Sequence, residues 1–130
     1  DIVRPGIVVI EYNARFGHER AVSVPYDSRF ERRAAHYSGI YYGASLRALW
    51  LLAKRKGYAL VGCNSAGNNA FFVSRELVPA SLPGRDPEEA FVPAQFRESR
   101  DRQGRLALLD PADEARLLEG LPLTDVSRNP

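Results

Sequence analysis

One stretch in the middle of the chain, Tyr58–Val73, constrains the fold more than any other. Two apolar runs, Tyr58–Cys63 and Asn69–Val73, flank a short polar segment. Glycine and asparagine tolerate positive φ angles, and asparagine and serine bond to the nearby backbone, so all three favour turns. Such residues occupy the polar segment at Asn64, Ser65, Gly67 and Asn68. The stretch therefore predicts a hairpin of two strands. A phosphate-binding loop is the alternative, but no Lys-Ser/Thr pair follows the glycine.

An amphipathic helix is predicted immediately before this hairpin, over residues 43–56. Its apolar positions recur with helical spacing at Leu46, Leu49, Trp50 and Ala53, and Leu52 widens the stripe. Ser45 is a candidate cap for the start of the helix. Gly57 supplies the left-handed residue that commonly ends one. The helix is thus expected to lead directly into the first strand of the hairpin.

A third strand is predicted near the start of the chain. Ile7–Ile10 contains four consecutive β-branched residues, a pattern typical of a strand that is buried on both faces. The order strand, helix, strand predicts a right-handed crossover that pairs the first two strands within one sheet. Ligands of open α/β sheets bind beyond the carboxyl ends of the strands. Glu11 and Asn13 follow this strand and are therefore candidate site residues.

The segments on either side of this core are less regular. The long connection 14–42 is predicted to be a lid or binding loop, with a short strand at 21–24 and a helical turn or two at 28–35. Prolines interrupt the tail, residues 79–130, in which a helix is predicted at about 111–119 behind the cap Asp110. We expect an exposed charged loop at 99–105 and a loose end at 121–130.

The charge balance and the cysteine content exclude several classes of protein. Lys and Arg number 18 against 16 Asp and Glu, a net charge of +2 that predicts neither a nucleic-acid nor a membrane partner. Of the 18 basic residues, 16 are arginine, which indicates composition bias or an anion-binding surface. The single Cys63 forms no intrachain disulfide and favours a reducing, cytoplasmic location.

Several motifs together resemble one known family. They are Arg4–Asn13, the helix end Lys54–Gly57, Tyr58–Gly62 and Asn69–Val73, with His36–Gly39 and Gly62–Ser65 as further matching segments. Residues 5–77 thereby resemble the C-terminal half of an FkbM-like class I S-adenosylmethionine-dependent methyltransferase. The resemblance implies an α/β fold in which residues 1–78 form part of a Rossmann-like sheet. It also implies that the last strand runs antiparallel and inserts between the other two.

The same resemblance implies S-adenosylmethionine as the cofactor. The family's glycine-rich first turn and the acidic residue that ends its second strand have no counterpart in this sequence, so we expect the cofactor-binding residues upstream of Asp1. The upstream half of the same protein, or another copy, is then expected to cover the Ile7–Ile10 strand. The acceptor is expected to be a small molecule. A non-catalytic interaction or assembly module of the same half-sheet is the alternative function.

Each candidate site residue has both a functional and a structural interpretation. Glu11 is a candidate catalytic residue and Asn13 a substrate-binding one; alternatively, both tie down the loop that follows. His36 is a candidate general base because its pKa lies near neutrality, although loop packing explains it as well. Tyr37 and Tyr41 are candidate substrate-binding residues, or else part of a core edge. His18 and His36, with scattered carboxylates, predict no metal site.

Overall fold

The computed structural model describes residues 3–128, and it shows a mixed α/β fold with small antiparallel sheets and four helices among those residues. The elements in chain order are β1 (Ile7–Glu11), β2 (Val22–Ser23), α1 (Arg32–Ala35), α2 (Leu46–Arg55), β3 (Tyr58–Cys63), β4 (Asn69–Ser74), α3 (Pro87–Ala90), β5 (Ser99–Arg100), β6 (Leu106–Ala107), α4 (Pro111–Leu118) and β7 (Thr124–Asp125). Two short 3-10 turns lie at Ala14–Phe16 and Arg75–Leu77. The predicted segments 1–78 and 79–130 start at residue 1 and end at residue 130, and both of these residues lie outside the described part of the chain.

The main sheet has the strand order β1-β4-β3, and β4 runs antiparallel to both of its neighbours. The hairpin predicted from the sequence is therefore confirmed. Its turn is held by the Asn64 side-chain oxygen, which accepts hydrogen bonds from the backbone N–H groups of Asn68 (3.1 Å) and Asn69 (3.0 Å). The prediction that the first two strands pair directly is wrong, because β4 lies between β1 and β3.

Helix α2 covers one face of this sheet and confirms the predicted amphipathic pattern. The Ser45 hydroxyl accepts a hydrogen bond from the Ala48 N–H at 3.2 Å, and Gly57 has a φ of 83°. Leu46 and Ala53 are buried against Leu60 and Phe72 of the sheet. Leu52, predicted to widen the apolar stripe, lies at its margin: it is 40% exposed and lines a small apolar cleft with Leu49 and Ala53.

The opposite face of the sheet is more open, which corrects a prediction. Ile7 and Val9 are 64% and 54% exposed, whereas Val8 and Ile10 pack against the core beside α2. Because side chains alternate across a strand, only one set of β1 residues meets the helix. The expectation that Ile7–Ile10 is buried on both faces therefore fails among the described residues.

The tail packs against the earlier part of the chain at three places. Helix α3, which the sequence did not predict, contacts β3 and α2, and α4 contacts the turn at Ala14–Phe16. Strand β7 pairs with β2, so the described part of the predicted loose end is in fact ordered by a two-stranded ladder. The predicted exposed loop 99–105 begins with the buried Ser99 and belongs to a hairpin of β5 with β6, in which residues 102–105 form the exposed turn.

Three of the tail and loop predictions are confirmed. Helix α4 begins at Pro111, and the Asp110 carboxylate accepts a hydrogen bond from the Asp113 N–H at 2.9 Å. The short strand and the helical turn predicted in 14–42 appear as β2 and α1. Ile40, Tyr41 and Leu118 form a second small core that joins this long connection to α4.

Candidate functional site

Three side chains meet where β1 ends, and we call them the strand-end cluster: Glu11, Arg32 and Tyr42. The Tyr42 hydroxyl donates a hydrogen bond of 3.2 Å to the Glu11 carboxylate. The Arg32 guanidinium lies over the Tyr42 ring, 3.9 Å from its centroid. Glu11 itself is exposed. The cluster therefore presents an accessible carboxylate whose orientation is set by a phenol and which has a cation nearby.

The electrostatics of the cluster keep Tyr42 protonated. Burial raises the pKa of Tyr42 above its usual value, and the neighbouring Glu11 carboxylate raises it further. The guanidinium groups of Arg32 and Arg15 act in the opposite direction. Because the net shift is upward, Tyr42 stays a hydrogen-bond donor at neutral pH. It can thus hold the Glu11 carboxylate in one orientation.

Asn13 holds the backbone of this cluster in place and is almost fully buried, with 1% exposure. Its side-chain amide donates to the Ile40 carbonyl (2.8 Å) and to the Tyr42 carbonyl (3.0 Å). Its side-chain oxygen accepts from the Arg15 N–H at 3.2 Å. Both amide protons are used by the protein itself. Asn13 therefore fits the alternative interpretation, in which it ties the long loop to the end of β1.

Tyr41 also fits its structural interpretation. It is 7% exposed, and its hydroxyl donates to the Pro122 carbonyl. Its ring belongs to the second core, with Ile40 and Leu118. Burial raises its pKa, and no shift caused by a charged neighbour accompanies that effect. Tyr41 packs the loop onto the tail, and a substrate-binding role for it stays a prediction.

His36 and Tyr37 follow helix α1, and the His36 N–H donates a hydrogen bond of 3.4 Å to the carbonyl of Arg32, a member of the strand-end cluster. Their ring centroids are 4.4 Å apart, and Nδ1 of His36 is 2.6 Å from the Ser38 hydroxyl. Burial lowers the pKa of His36, and the Arg102 guanidinium lowers it further. In the described residues, no hydrogen bond or ring contact joins His36 to Glu11. The two predicted catalytic residues are therefore not brought together.

Tyr37 forms part of the wall of a cavity of about 500 Å³ between the β5–β6 hairpin and α4, which we call the hairpin cavity. Its other lining residues are Arg100, Asp101, Arg102, Gln103, Ala107, Leu109, Asp113, Arg116 and Leu117. A larger cavity of about 610 Å³ lies beside α2, β3 and α3 and includes none of the predicted site residues. Of those residues, Tyr37 alone lines either of these two cavities.

A buried ion pair joins the end of β1 to the tail. The Arg15 guanidinium donates to the Glu114 carboxylate at 2.8 Å, and the two side chains are only 4% and 6% exposed. Nε of Arg15 is buried without a hydrogen-bond partner. The two residues are 99 positions apart. No local pattern in the sequence predicts such a pair, and sequence reasoning missed it.

Cys63 has the features of a structural thiol. It packs at the edge of the main core, and burial raises its pKa. A thiol that stays protonated is a weak nucleophile. Across residues 3–128, no group of three or more His, Cys, Asp or Glu side chains is placed to hold a metal ion.

Comparisons with known proteins assign no family to this chain. No family model matches it, and neither does any curated protein or solved structure. Within the described region, none of the helices is both long and apolar enough to cross a membrane.

Proposed function

We propose that this chain forms the acceptor-side part of an S-adenosylmethionine-dependent methyltransferase with a Rossmann-like sheet. The observation that carries the proposal is the strand order β1-β4-β3, with β4 antiparallel between two strands that run in the same direction. Helix α2 connects β1 to β3 along the chain. This is the arrangement that the resemblance to class I methyltransferases implies for the last three strands of their sheet.

We place the cofactor site outside the described residues. A dinucleotide or nucleoside cofactor in a Rossmann-like fold rests on a glycine-rich turn between a strand and a helix. After β1 the chain enters a 3-10 turn capped by Asn13, and the loop that follows β3 is the tight Asn64–Asn69 reversal. Neither connection leaves a helix N-terminus free to face a bound group. We therefore assign only acceptor-side roles to this chain.

In this proposal Glu11 is the catalytic residue. Its exposed carboxylate accepts a hydrogen bond from the hydroxyl or amine group of the acceptor and takes up the proton which that group loses. Tyr42 orients the carboxylate through the 3.2 Å hydrogen bond. General-base catalysis by a positioned side chain typically contributes about 10²–10⁴-fold in rate. Among the described residues His36 makes no hydrogen bond to Glu11, and its predicted catalytic role is not needed for this step.

The proposal is tested with the protein as its gene encodes it. Calorimetry with S-adenosylmethionine should detect binding, and Glu11→Gln should leave that binding intact while lowering methyl transfer by about 10²–10⁴-fold. Glu76→Gln is the matched control, since Glu76 is an exposed residue in the 3-10 turn Arg75–Leu77, after β4. An absence of binding at millimolar cofactor would refute the methyltransferase function.

The second candidate function is a non-catalytic assembly module, and a specific observation favours it. Within residues 3–128, β1 pairs only with β4, and Ile7 and Val9 on that strand are more than half exposed. An unpaired apolar edge strand is a template for pairing with another chain. Either another part of the same protein or a second copy covers this strand. A stable dimer that fails to bind S-adenosylmethionine would support the assembly module over the enzyme.

A small-molecule acceptor and a cytoplasmic location complete the proposal. The near-neutral charge of +2 favours neither nucleic acid nor an anionic surface as a partner. Cys63 is the single cysteine of the sequence, and a raised thiol pKa suits a residue that remains reduced. The single cysteine supports a location in a reducing compartment.

A further inference from the structure

We propose that the hairpin cavity binds a small monocarboxylate with a flat apolar body, in which Arg102 holds the carboxylate and Tyr37 contacts the body. This site is distinct from the strand-end cluster. The inference goes beyond the proposed function and does not depend on it. It rests on the lining of the cavity, on the pairing of its charges and on the placement of Arg102.

The size and the interior of the hairpin cavity suit a small apolar molecule. Its volume of about 500 Å³ lies within the range of sites that bind small ligands. Ala107, Leu109 and Leu117 supply an apolar lining from β6, from the segment after it and from α4. Tyr37 adds the edge of an aromatic ring and its hydroxyl, because the Arg102 guanidinium lies over the ring and the His36 ring lies against it. A flat apolar body can contact this edge and the aliphatic side chains together.

The charges around the cavity leave Arg102 as the cation available to a ligand. The carboxylate of Asp113 is paired with Arg116, and that of Asp101 is paired with Arg105 at 2.8 Å. Arg100 lies 3.1 Å from Glu98. Arg102 is exposed, and among residues 3–128 its guanidinium has no carboxylate partner.

The placement of Arg102 aims its guanidinium at the cavity. The group lies over the Tyr37 ring, 4.7 Å from its centroid, and both residues line the cavity. Stacking on an aromatic face orients the plane of a guanidinium and leaves its N–H groups at the edge free to donate. The planar fork of arginine matches a carboxylate with two parallel hydrogen bonds. Arg102 therefore has the geometry of a carboxylate receptor.

The balance of charge favours a monoanion over a phosphate ester. Three arginines and two aspartates line the cavity, which leaves one net positive charge. Asp101 is held ionised, because hydrogen bonds from the Arg105 backbone and side chain lower its pKa. A dianion would face two fixed carboxylates with only one unpaired guanidinium. A carboxylate, with a single charge, matches the one cation that is free.

The test is calorimetric titration of the protein, as its gene encodes it, with naphthoate, naphthamide and naphthyl phosphate as probes. We expect naphthoate to bind and Arg102→Gln to weaken that binding by at least about tenfold, the loss typical of a hydrogen bond to a charged group. Arg97→Gln is the matched control, because Arg97 is an exposed tail arginine outside the cavity lining. It should leave the affinity unchanged. Circular dichroism verifies that both variants fold.

Several results would overturn the inference. Equal naphthoate affinity in the Arg102 and Arg97 variants would show that Arg102 does not hold the ligand. Naphthamide binding as tightly as naphthoate would show that the charge is not recognised. Tighter binding of naphthyl phosphate would contradict the assignment to a monoanion, and no binding at 10-millimolar probe, about 3 kcal/mol of affinity, would remove the site altogether. None of these results depends on cofactor binding, so the methyltransferase proposal is judged separately.

Discussion

The two faces of the main sheet differ sharply in how completely they are covered. On the α2 face, Leu60 and Phe72 are each only 1% exposed. On the other face, Ile7 and Val9 of the same sheet are 64% and 54% exposed. Side chains of β1 and β4 alternate between these environments, since Val8 pairs with Phe72 and Val9 with Phe71. The difference indicates that α2 covers the centre of one face, whereas Ile7 and Val9 on the other face are available to a partner.

The largest effect is expected from two adjacent phenylalanines that point to opposite faces. Phe72→Ala removes a fully buried ring beside α2 and should lower the free energy of unfolding by about 3–5 kcal/mol. Phe71→Ala, on the open face, should cost less than half as much, because the ring is only partly buried. Urea denaturation of both variants measures the difference. Equal losses would contradict the contrast between the faces.

At the carboxyl end of β1, too, a buried charged residue lies close in sequence to an exposed one. Arg15 is buried with Glu114, whereas Glu11 is exposed. Glu114→Ala leaves a buried guanidinium without its partner and should destabilise the fold by about 3–5 kcal/mol. The double variant Arg15→Met with Glu114→Leu should recover most of that loss. If Glu114→Ala were as stable as the parent protein, the ion pair of Arg15 with Glu114 would not hold the tail in place.

A smaller effect is expected at Asn13, and it sharpens the distinction from Glu11. Asn13→Ala leaves the carbonyls of Ile40 and Tyr42 without their donors and should cost about 1–3 kcal/mol. Glu11→Ala should change stability by less than about 0.5 kcal/mol, because the residue is exposed. Thermal or urea unfolding tests both. The reverse order would mean that the roles assigned to these two residues are exchanged.

The smallest effect concerns His36 and the pH dependence of stability. Burial and the Arg102 guanidinium lower its pKa below the usual 6.5, so the folded protein disfavours the protonated ring. Stability should therefore decrease as the pH falls through 6.5 toward the lower folded pKa. His36→Gln should remove this part of the pH dependence. If unfolding curves of the parent and the variant shift identically with pH, His36 does not contribute.

Features set by neighbouring residues could be predicted from the sequence. The cap at Ser45, the left-handed Gly57 and the Asp110 cap each depend on a few adjacent positions, and each is found as expected. The Tyr58–Val73 hairpin has the same local origin. These elements account for the order of strand, helix and hairpin that places Glu11 at the end of β1.

Features that join distant segments could not be predicted in the same way. The pairing of Val22–Ser23 with Thr124–Asp125 spans about a hundred residues. Neither two-residue segment has a sequence pattern that identifies the strand with which it pairs. The buried pair of Arg15 with Glu114 has the same long-range origin. Asn13 was correctly placed at the end of the strand. Its burial, however, depends on its hydrogen bonds to the carbonyls of Ile40 and Tyr42. The positions of these two carbonyls are set only when the loop has folded.

We propose that a further strand, from another part of the same protein or from a second copy, pairs with the free edge of β1, and hydrogen exchange at the β1 backbone amides tests this most directly. The measurement uses the protein as its gene encodes it, with β4 as the internal reference, because β4 is paired on both sides. We expect all amides of Ile7–Glu11 to be protected to a degree similar to those of β4. Fast exchange at alternate residues of β1, as in a strand with one free edge, would contradict it.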